Sequence, residues 1–290
     1  MKKTLRKRCE NIEPKITNNP LKCKTSSPSG DLISFLAGMK KMYEETGRKI
    51  LVYQRLNMPG AGTHDSVHPF KNEFDEPICM SEYMFDNLKR LITSQDYIED
   101  FLVYKGEEVD IDFDLIRQER YTNQPRGSLN RWFNYVFPQM ASDLSKPYLN
   151  VKARKNDKII INFTQRYRNH LINYFFLKSH QENIVFAGLQ KERDLFCRTW
   201  DIDVPLLQVD DFYELAAWIK GCQFFIGNQS FCFQVAEAMK VSRILEIFPM
   251  MPNCIPVGPN GYDFYHQGSL DYYFGKLITS PNTKKMNTKK

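Results

Sequence analysis

Three short polar corners hold most of the residues able to do chemistry in this 290-residue chain. The first is Ser26-Ser27-Pro28-Ser29-Gly30-Asp31, which follows the run LKCKT. The second, Thr164-Gln165-Arg166-Tyr167-Arg168-Asn169-His170, follows KIIINF. The third is Asn228-Gln229-Ser230. It lies between the apolar run QFFIG and a segment in which Phe231, Val235, Ala238 and Met239 recur at helical spacing. A strand, a tight polar turn and a helix start make an anion site, because unpaired N–H groups and the helix dipole face one point. Arg166 and Arg168 strengthen the second corner, since a guanidinium matches phosphate oxygens bidentately; with Thr164 they suit a diphosphate. Asp31 has two readings. It is either a charge at a helix start, worth about 0.3–1 kcal/mol, or a general base facing a cleft.

Other constellations carry less. GxGxxG, GxxxxGK[ST], GxSxG and HExxH are all absent, which disfavours a dinucleotide oxidoreductase, a P-loop kinase, a serine hydrolase of the elbow type and a zincin. His64 and His68 stand four apart, but in a loop (57–77) rich in Gly and Pro with no third ligand, so no metal site is expected. Glu107, Glu108, Asp110, Asp112 and Asp114 alternate with Val109, Ile111, Phe113 and Leu115. That alternation predicts a strand or sheet edge with solvated carboxylates.

The elements that must position the corners follow from apolar spacing. Strands are expected at 21–25, 49–53, 97–104, 158–163, 183–188, 206–209, 223–226 and 243–248. Helices are expected at 32–46 (ending at Gly47), 81–93, 129–137, 169–178, 191–199, 211–220 and from Phe231 onward, with a last amphipathic helix at 268–278 that is a candidate to cross back to the first half. The polar stretch 141–157 is the linker candidate, and after it the strand–helix rhythm restarts. Such alternation means parallel βαβ units with right-handed crossovers, so an α/β fold of two Rossmann-like halves facing a central cleft is expected. The divisions are a basic leader (1–20), a first domain (21–150), a second domain (151–268) and a C-terminal helix with a basic tail (269–290).

The totals fit. A chain that is 42% hydrophobic and 13% aromatic folds into a globule. No apolar run reaches the roughly 20 residues needed to span a bilayer, and residues 1–8 are basic without an apolar segment behind them, so no secretory signal is expected. Seven cysteines (Cys9, Cys23, Cys79, Cys197, Cys222, Cys232, Cys254) without a CxxC pair suit reduced thiols in a cytoplasmic protein. The net charge of +6 belongs to the tails: Lys2, Lys3, Arg6, Lys7, Arg8, Lys284, Lys285, Lys289 and Lys290 supply nine charges, and removing them leaves −3. Tails of this kind give at most a weak, non-specific hold on nucleic acid or an acidic surface.

Three stretches carry a resemblance. SSPSGDLISFLAGMKKMYEETG resembles the first loop and helix of glycosyltransferase family 9, the ADP-heptose:lipopolysaccharide heptosyltransferases, where a small-residue turn ending in Gly-Asp precedes a helix. ENIVFAGLQKERDLF is similar to the family's strand and Glu-Arg helix, and DDFYELAAWIKGCQFFIGNQSFCFQVAEAMKVSRILEIF to its FVGNDSG…LAAALGVP segment. The resemblance implies a GT-B fold and a metal-independent, inverting transfer from a nucleotide-diphosphate sugar, with no cofactor. The first domain would hold the acceptor and the second the donor. It places Asp31 as catalytic base beside the acceptor-side turn Ser29-Gly30. Thr164, Arg166 and Arg168 fall in the donor-phosphate loop, and Asn228, Gln229, Ser230 and Phe231 in the phosphate turn. Glu246 ends the next strand, where a carboxylate would meet sugar or ribose hydroxyls. The sequence departs from the family's Asp-[ST]-Gly, which is Gln229-Ser230-Phe231 here, and from its phosphate-loop lysine, which is Asn169 beside Arg168. Two alternatives stand beside this reading: a glycosyltransferase whose acceptor is a hydroxymethylated base in DNA, and a non-catalytic nucleotide-sugar-binding module. The donor sugar, the acceptor glycan or DNA, and the oligomeric state stay open.

Overall fold

The computed structural model describes residues 19–60, 70–118 and 127–279. Residues 1–18 of the basic leader, His64, His68, residues 119–126 and the basic C-terminal tail from 280 lie outside them. Two all-parallel sheets form the frame, one of four strands and one of five.

In the first half, β1 (Leu21–Thr25) pairs with β2 (Ile50–Gln54) and β4 (Ile111–Asp112), and β2 pairs with β3 (Ile98–Val103). Leu21, Cys23 and Thr25 of β1 are buried, so this strand lies at the centre of the order β3-β2-β1-β4. Helix α1 (Ser29–Thr46) starts three residues before its apolar period, with the extended Pro28 in the N-cap position and no side-chain cap. Asp31 therefore lies in the first turn of the helix. Gly47 ends it at φ 69°, a left-handed conformation glycine takes without a Cβ clash. Helix α2 (Glu82–Thr93) is capped by the Ser81 side chain, which accepts the Met84 N–H at 3.2 Å. Helix α3 (Leu129–Val136) packs under α1, with the Phe35 and Phe133 rings 4.7 Å apart. Gly38 permits this approach, because a Cβ there would sit 2.6 Å from Phe133.

The second half contains β5 (Ile159–Asn162), β6 (Ile184–Phe186), helix α4 (Gln190–Trp200), helix α5 (Phe212–Gly221), β7 (Phe224–Asn228), helix α6 (Phe231–Ala238), β8 (Arg243–Glu246), β9 (Gly261–Phe264) and helix α7 (Gln267–Ile278). Its strand order is β6-β5-β7-β8-β9.

Five expectations are corrected. The alternation at 109–115 yields only the two-residue β4, because the Asp112 carboxylate accepts the Asp114 N–H at 3.0 Å and turns the chain into a 3-10 helix, Phe113–Arg117. Its carboxylates are not simply solvated: Asp110 takes the Lys22 N–H at 2.8 Å, and Asp112 pairs with Lys24 at 2.8 Å. The helix expected at 169–178 is instead an irregular segment and a 3-10 helix, Phe175–Asn183, since Asn169 and Asn173 each bond a backbone N–H two residues on. The strand expected at 206–209 reduces to one bridge, Leu206 to Phe186. A strand at 261–264, absent from the sequence reading, adds a half-buried edge. Finally, α7 buries Leu270, Phe274 and Leu277 among residues of the second sheet and does not return to the first half.

The halves meet helix to helix, α1 against α6 and α2 against α5. One buried cluster runs through the junction, joining Leu32, Phe35 and Phe133 to Leu215, Ala216, Phe233 and Val235. The irregular segment 141–157 is fastened on both sides. Tyr97 Oη donates to the Tyr148 carbonyl at 2.6 Å, and the Arg154 N–H donates to the Ala217 carbonyl at 2.9 Å. Gly221 has no room for a side chain, as its Cβ would lie 1.9 Å from the Arg154 carbonyl oxygen.

Candidate functional site

The N-terminal ends of α1 and α6 come together at the carboxyl edges of both sheets. A Cβ on Gly30 would stand 3.7 Å from Phe231 Cα and from Gln234 Cγ, so the turn 29–31 lies close against the start of α6. Ligands in open α/β sheets favour this edge. Asp31 points from the first turn of α1 with 23% of its side chain exposed, and Arg117 donates to its carboxylate. Burial of the carboxylate is the largest influence on its proton affinity and raises its pKa. Arg117, then Arg166, oppose that shift without cancelling it. The result is a carboxylate that holds a proton more readily than a solvated aspartate, as a general base must.

Arg166 comes to the same point from the loop after β5. Among the described residues it forms no ion pair, and its charge reaches both Asp31 and Glu192. Glu192, on α4, is also raised, mainly by burial, and its carboxylate caps the helix by accepting the Leu189 N–H at 3.1 Å. Arg166 thus acts on two carboxylates by its charge without being bonded to either.

The loop that carries it is set by Asn228, which is fully buried. Asn228 Oδ1 accepts the Thr164 N–H at 3.0 Å, and its Nδ2 donates to the Thr164 carbonyl at 3.1 Å and to that of Arg166. These bonds hold Tyr167 at φ 53°, a left-handed conformation rare for an aromatic residue. Asn228 therefore shapes the loop and has no group left for a ligand. Thr164 is buried too, its hydroxyl 3.3 Å from the Arg166 carbonyl.

Glu246 and Arg168 lie apart from Asp31. Glu246 is fully buried, with Arg168 Nε at 3.0 Å, the Asn169 N–H at 2.6 Å and the Tyr174 hydroxyl all donating to it. The Arg168 guanidinium lies 4.9 Å from the centre of the Phe163 ring. Both residues fasten the loop: the Glu246 carboxylate, expected to meet a ribose, has both oxygens occupied, whereas Arg168 commits its Nε and Nη2 to Glu246 and, among the described residues, has its Nη1 donors left over. Gln229 points sideways: its Oε1 accepts the Phe248 N–H at 2.7 Å and its Nε2 donates to the Met251 carbonyl at 2.8 Å. Ser230 caps α6 by accepting the Phe233 N–H at 3.3 Å and donates to Asn162 Oδ1 at 2.6 Å. Phe231 packs on Phe212 of α5 with ring centres 4.7 Å apart. In the first turn of α6 the N–H groups of Phe231 and Cys232 have no helical acceptor.

Sequence reasoning missed Arg117 and Glu192. Arg117 sits 86 residues from Asp31, and no local pattern links them. Glu192 was visible only as part of a Glu-Arg helix. A hollow of about 360 Å³ lies along α1 near Lys40, Lys41 and Glu44, beside Asp143 and Lys146. Its lining starts at Ala37, roughly 9 Å along α1 from Asp31 at 1.5 Å per residue, and includes none of these groups. Among the described residues no three His, Cys, Asp or Glu side chains gather in a way that would hold a metal ion, and no helix is long and apolar enough to cross a membrane.

By sequence, no known family and no curated protein matches the chain. By structure it is similar to the glycosyl transferase family 9 protein from Veillonella parvula DSM 2008, with a TM-score of 0.56 and 11% identity over 91% of this chain and 89% of that one. It is also similar to the E. coli heptosyltransferase WaaC with ADP (TM-score 0.61, 9% identity, 89% of this chain and 99% of that one). A third likeness is to E. coli ADP-heptose lps heptosyltransferase II (TM-score 0.54, 12% identity, 89% and 98%). Likeness at such identities speaks for architecture. Two parallel sheets, one in each half, are the GT-B architecture, which this chain shares with these glycosyltransferases.

Proposed function

We propose that the chain is an inverting, metal-independent glycosyltransferase that moves a sugar from a nucleoside-diphosphate sugar to an acceptor hydroxyl. The observation that carries this reading is the meeting of the two helix N-termini at Gly30 and Phe231, next to Asp31, whose carboxylate feels the charge of Arg166, a guanidinium without an ion pair among the described residues. Asp31 takes the proton of the acceptor hydroxyl as that oxygen bonds to the anomeric carbon. The bond from the anomeric carbon to the diphosphate breaks on the opposite face, and its electrons leave with the diphosphate. Arg166 and the first-turn N–H groups of α6 stabilise that charge; charge-assisted bonds of this kind are the strong ones. Arg168, Glu246, Asn228 and Gln229 act behind them as the scaffold of the loops. The WaaC structure named above contains ADP, which supports a nucleotide in the corresponding cleft. Six described cysteines are free thiols, consistent with a reducing, cytoplasmic setting.

One observation favours a second reading. Gln229 stands where the family has a carboxylate, and its amide is bonded to the 248–251 loop, which suits a module that binds nucleotide sugars without turning them over. A panel of ADP-, UDP- and GDP-sugars separates the two. Thermal stabilisation by one donor, with slow donor hydrolysis in the absence of acceptor, is the expected result. Stabilisation without any hydrolysis would favour the binding module, and no stabilisation by any donor would end both readings.

A further inference from the structure

We infer that Arg117 is the positioning residue of the proposed base: it grips one oxygen of the Asp31 carboxylate and leaves the other turned toward the acceptor hydroxyl. The inference rests on the reading of Asp31 given above. Arg117 Nη2 donates to Oδ2 of Asp31, and no other described side chain donates to that carboxylate.

The turn that delivers Arg117 is built for the purpose. The 3-10 helix Phe113–Arg117 is anchored by the buried Phe113 and Ile116 and capped by Asp112. Side chains three apart lie one above the other on such a helix, so Asp114 and Arg117 share an edge. Asp114 Oδ1 accepts the Ser26 N–H at 2.7 Å and the Ser26 hydroxyl at 2.8 Å, while Lys24 stands 3.5 Å from its other oxygen. Asp114 thus clamps the start of the β1–α1 loop and Arg117 clamps its end. With 39% of the Arg117 side chain exposed, the pair adds little to stability. Its effect is on where the carboxylate points and how tightly it holds a proton.

Among the described residues the groups facing Asp31 are few. Arg117 comes from the 3-10 turn, Arg166 from the loop after β5, and the thiols of Cys79 and Cys254 from neighbouring loops. Burial raises both thiols, that of Cys254 to about 12, so they are neutral near pH 7. Among the described residues the two arginines are therefore the charges that oppose the rise of the Asp31 pKa, and Arg117 has the larger influence.

The test uses the full chain and the variants Arg117→Gln and Arg117→Lys. Removing the cation strengthens proton binding by Asp31, so Arg117→Gln moves the acid limb of turnover upward by about one pH unit or more. Below both midpoints that is about tenfold slower turnover per unit, recovering as pH rises. A 13C-carboxyl NMR titration of Asp31 moves in the same direction. Donor affinity stays unchanged, and Arg117→Lys restores most of the midpoint. An unchanged midpoint and limb would overturn the inference, as would a matching loss of donor affinity, which would make Arg117 a donor ligand. Failure of the underlying reading looks different: Asp31→Asn would then turn over normally even though the carboxyl midpoint responds to Arg117.

Discussion

Two pairs of charged residues in this molecule have similar chemistry and opposite surroundings. Glu246 and Arg168 are bonded to each other, and Glu246 takes two further donors with no exposure to water. Asp31 and Arg166 lie partly exposed at the meeting of the two halves, and neither is bonded to the other. A carboxylate whose acceptor sites are all occupied is a fastening. One that keeps a free oxygen beside an unpaired guanidinium has capacity left for a substrate. Sequence position alone made all four candidate site residues, and the surroundings separate them.

The comparison breaks first at Asp31. Asp31→Asn is expected to transfer sugar at least about a hundredfold more slowly, with donor affinity unchanged, since a general base contributes 10²–10⁴-fold in typical cases. Its stability should hold. The folded-state pKa of Asp31 is raised, so its favourable contribution to stability is complete below the ordinary carboxylate pKa and is lost as pH rises through the raised value. At neutral pH there is therefore no charge-derived stability for the amide to remove. In the wild type, the acid limb of turnover should lie above the usual carboxylate range. Near-normal turnover by Asp31→Asn reduces that residue to a helix charge.

Glu246→Gln should show the converse. It leaves Arg168 without its carboxylate and is expected to cost about 3 kcal/mol of stability, the low end for removing one member of a buried pair. Chemical denaturation measures this. A stable variant with weakened donor binding would place Glu246 in the site and erase the contrast.

The smallest effect is expected at Arg166. Charge-assisted bonds are worth about 1.5–3 kcal/mol, so Arg166→Ala should weaken donor binding by roughly tenfold or more with an unchanged melting temperature. Titration calorimetry of Arg166→Ala beside Arg168→Ala sharpens the distinction, since only the first should lose affinity and only the second should melt earlier.

The sequence made the frame legible where burial is strong. FFIGN reads as a strand because it lies inside a parallel sheet covered on both faces, and LKCKT because Leu21 and Cys23 are buried on one face while Lys22 is exposed on the other. GYDF escaped notice because β9 is an edge strand with one buried residue, reached through a Pro-rich loop. Short polar side chains caused the two wrong elements. Asp112, Asn169 and Asn173 each bond a backbone N–H two residues on, which ends a strand in one case and replaces a helix in the other. At the site, Asp31 and Arg166 were readable from their place after a strand. The fastening roles of Asn228, Gln229 and Glu246 were not, because every partner that occupies them lies about 20 to 80 residues away.

The cluster joining Leu32 and Phe133 to Leu215 and Phe233 has a consequence for anyone who would build chimaeras. GT-B halves invite exchange, one acceptor side grafted on another donor side, with the cut placed in the connecting segment. Here that cut divides a shared interior. Arg154 is seated against Gly221 so closely that even alanine at the glycine would collide with the backbone. A graft at 141–157 must therefore carry the facing surfaces of α1, α2, α5 and α6 together, or it will expose on each piece the apolar side that the other was covering.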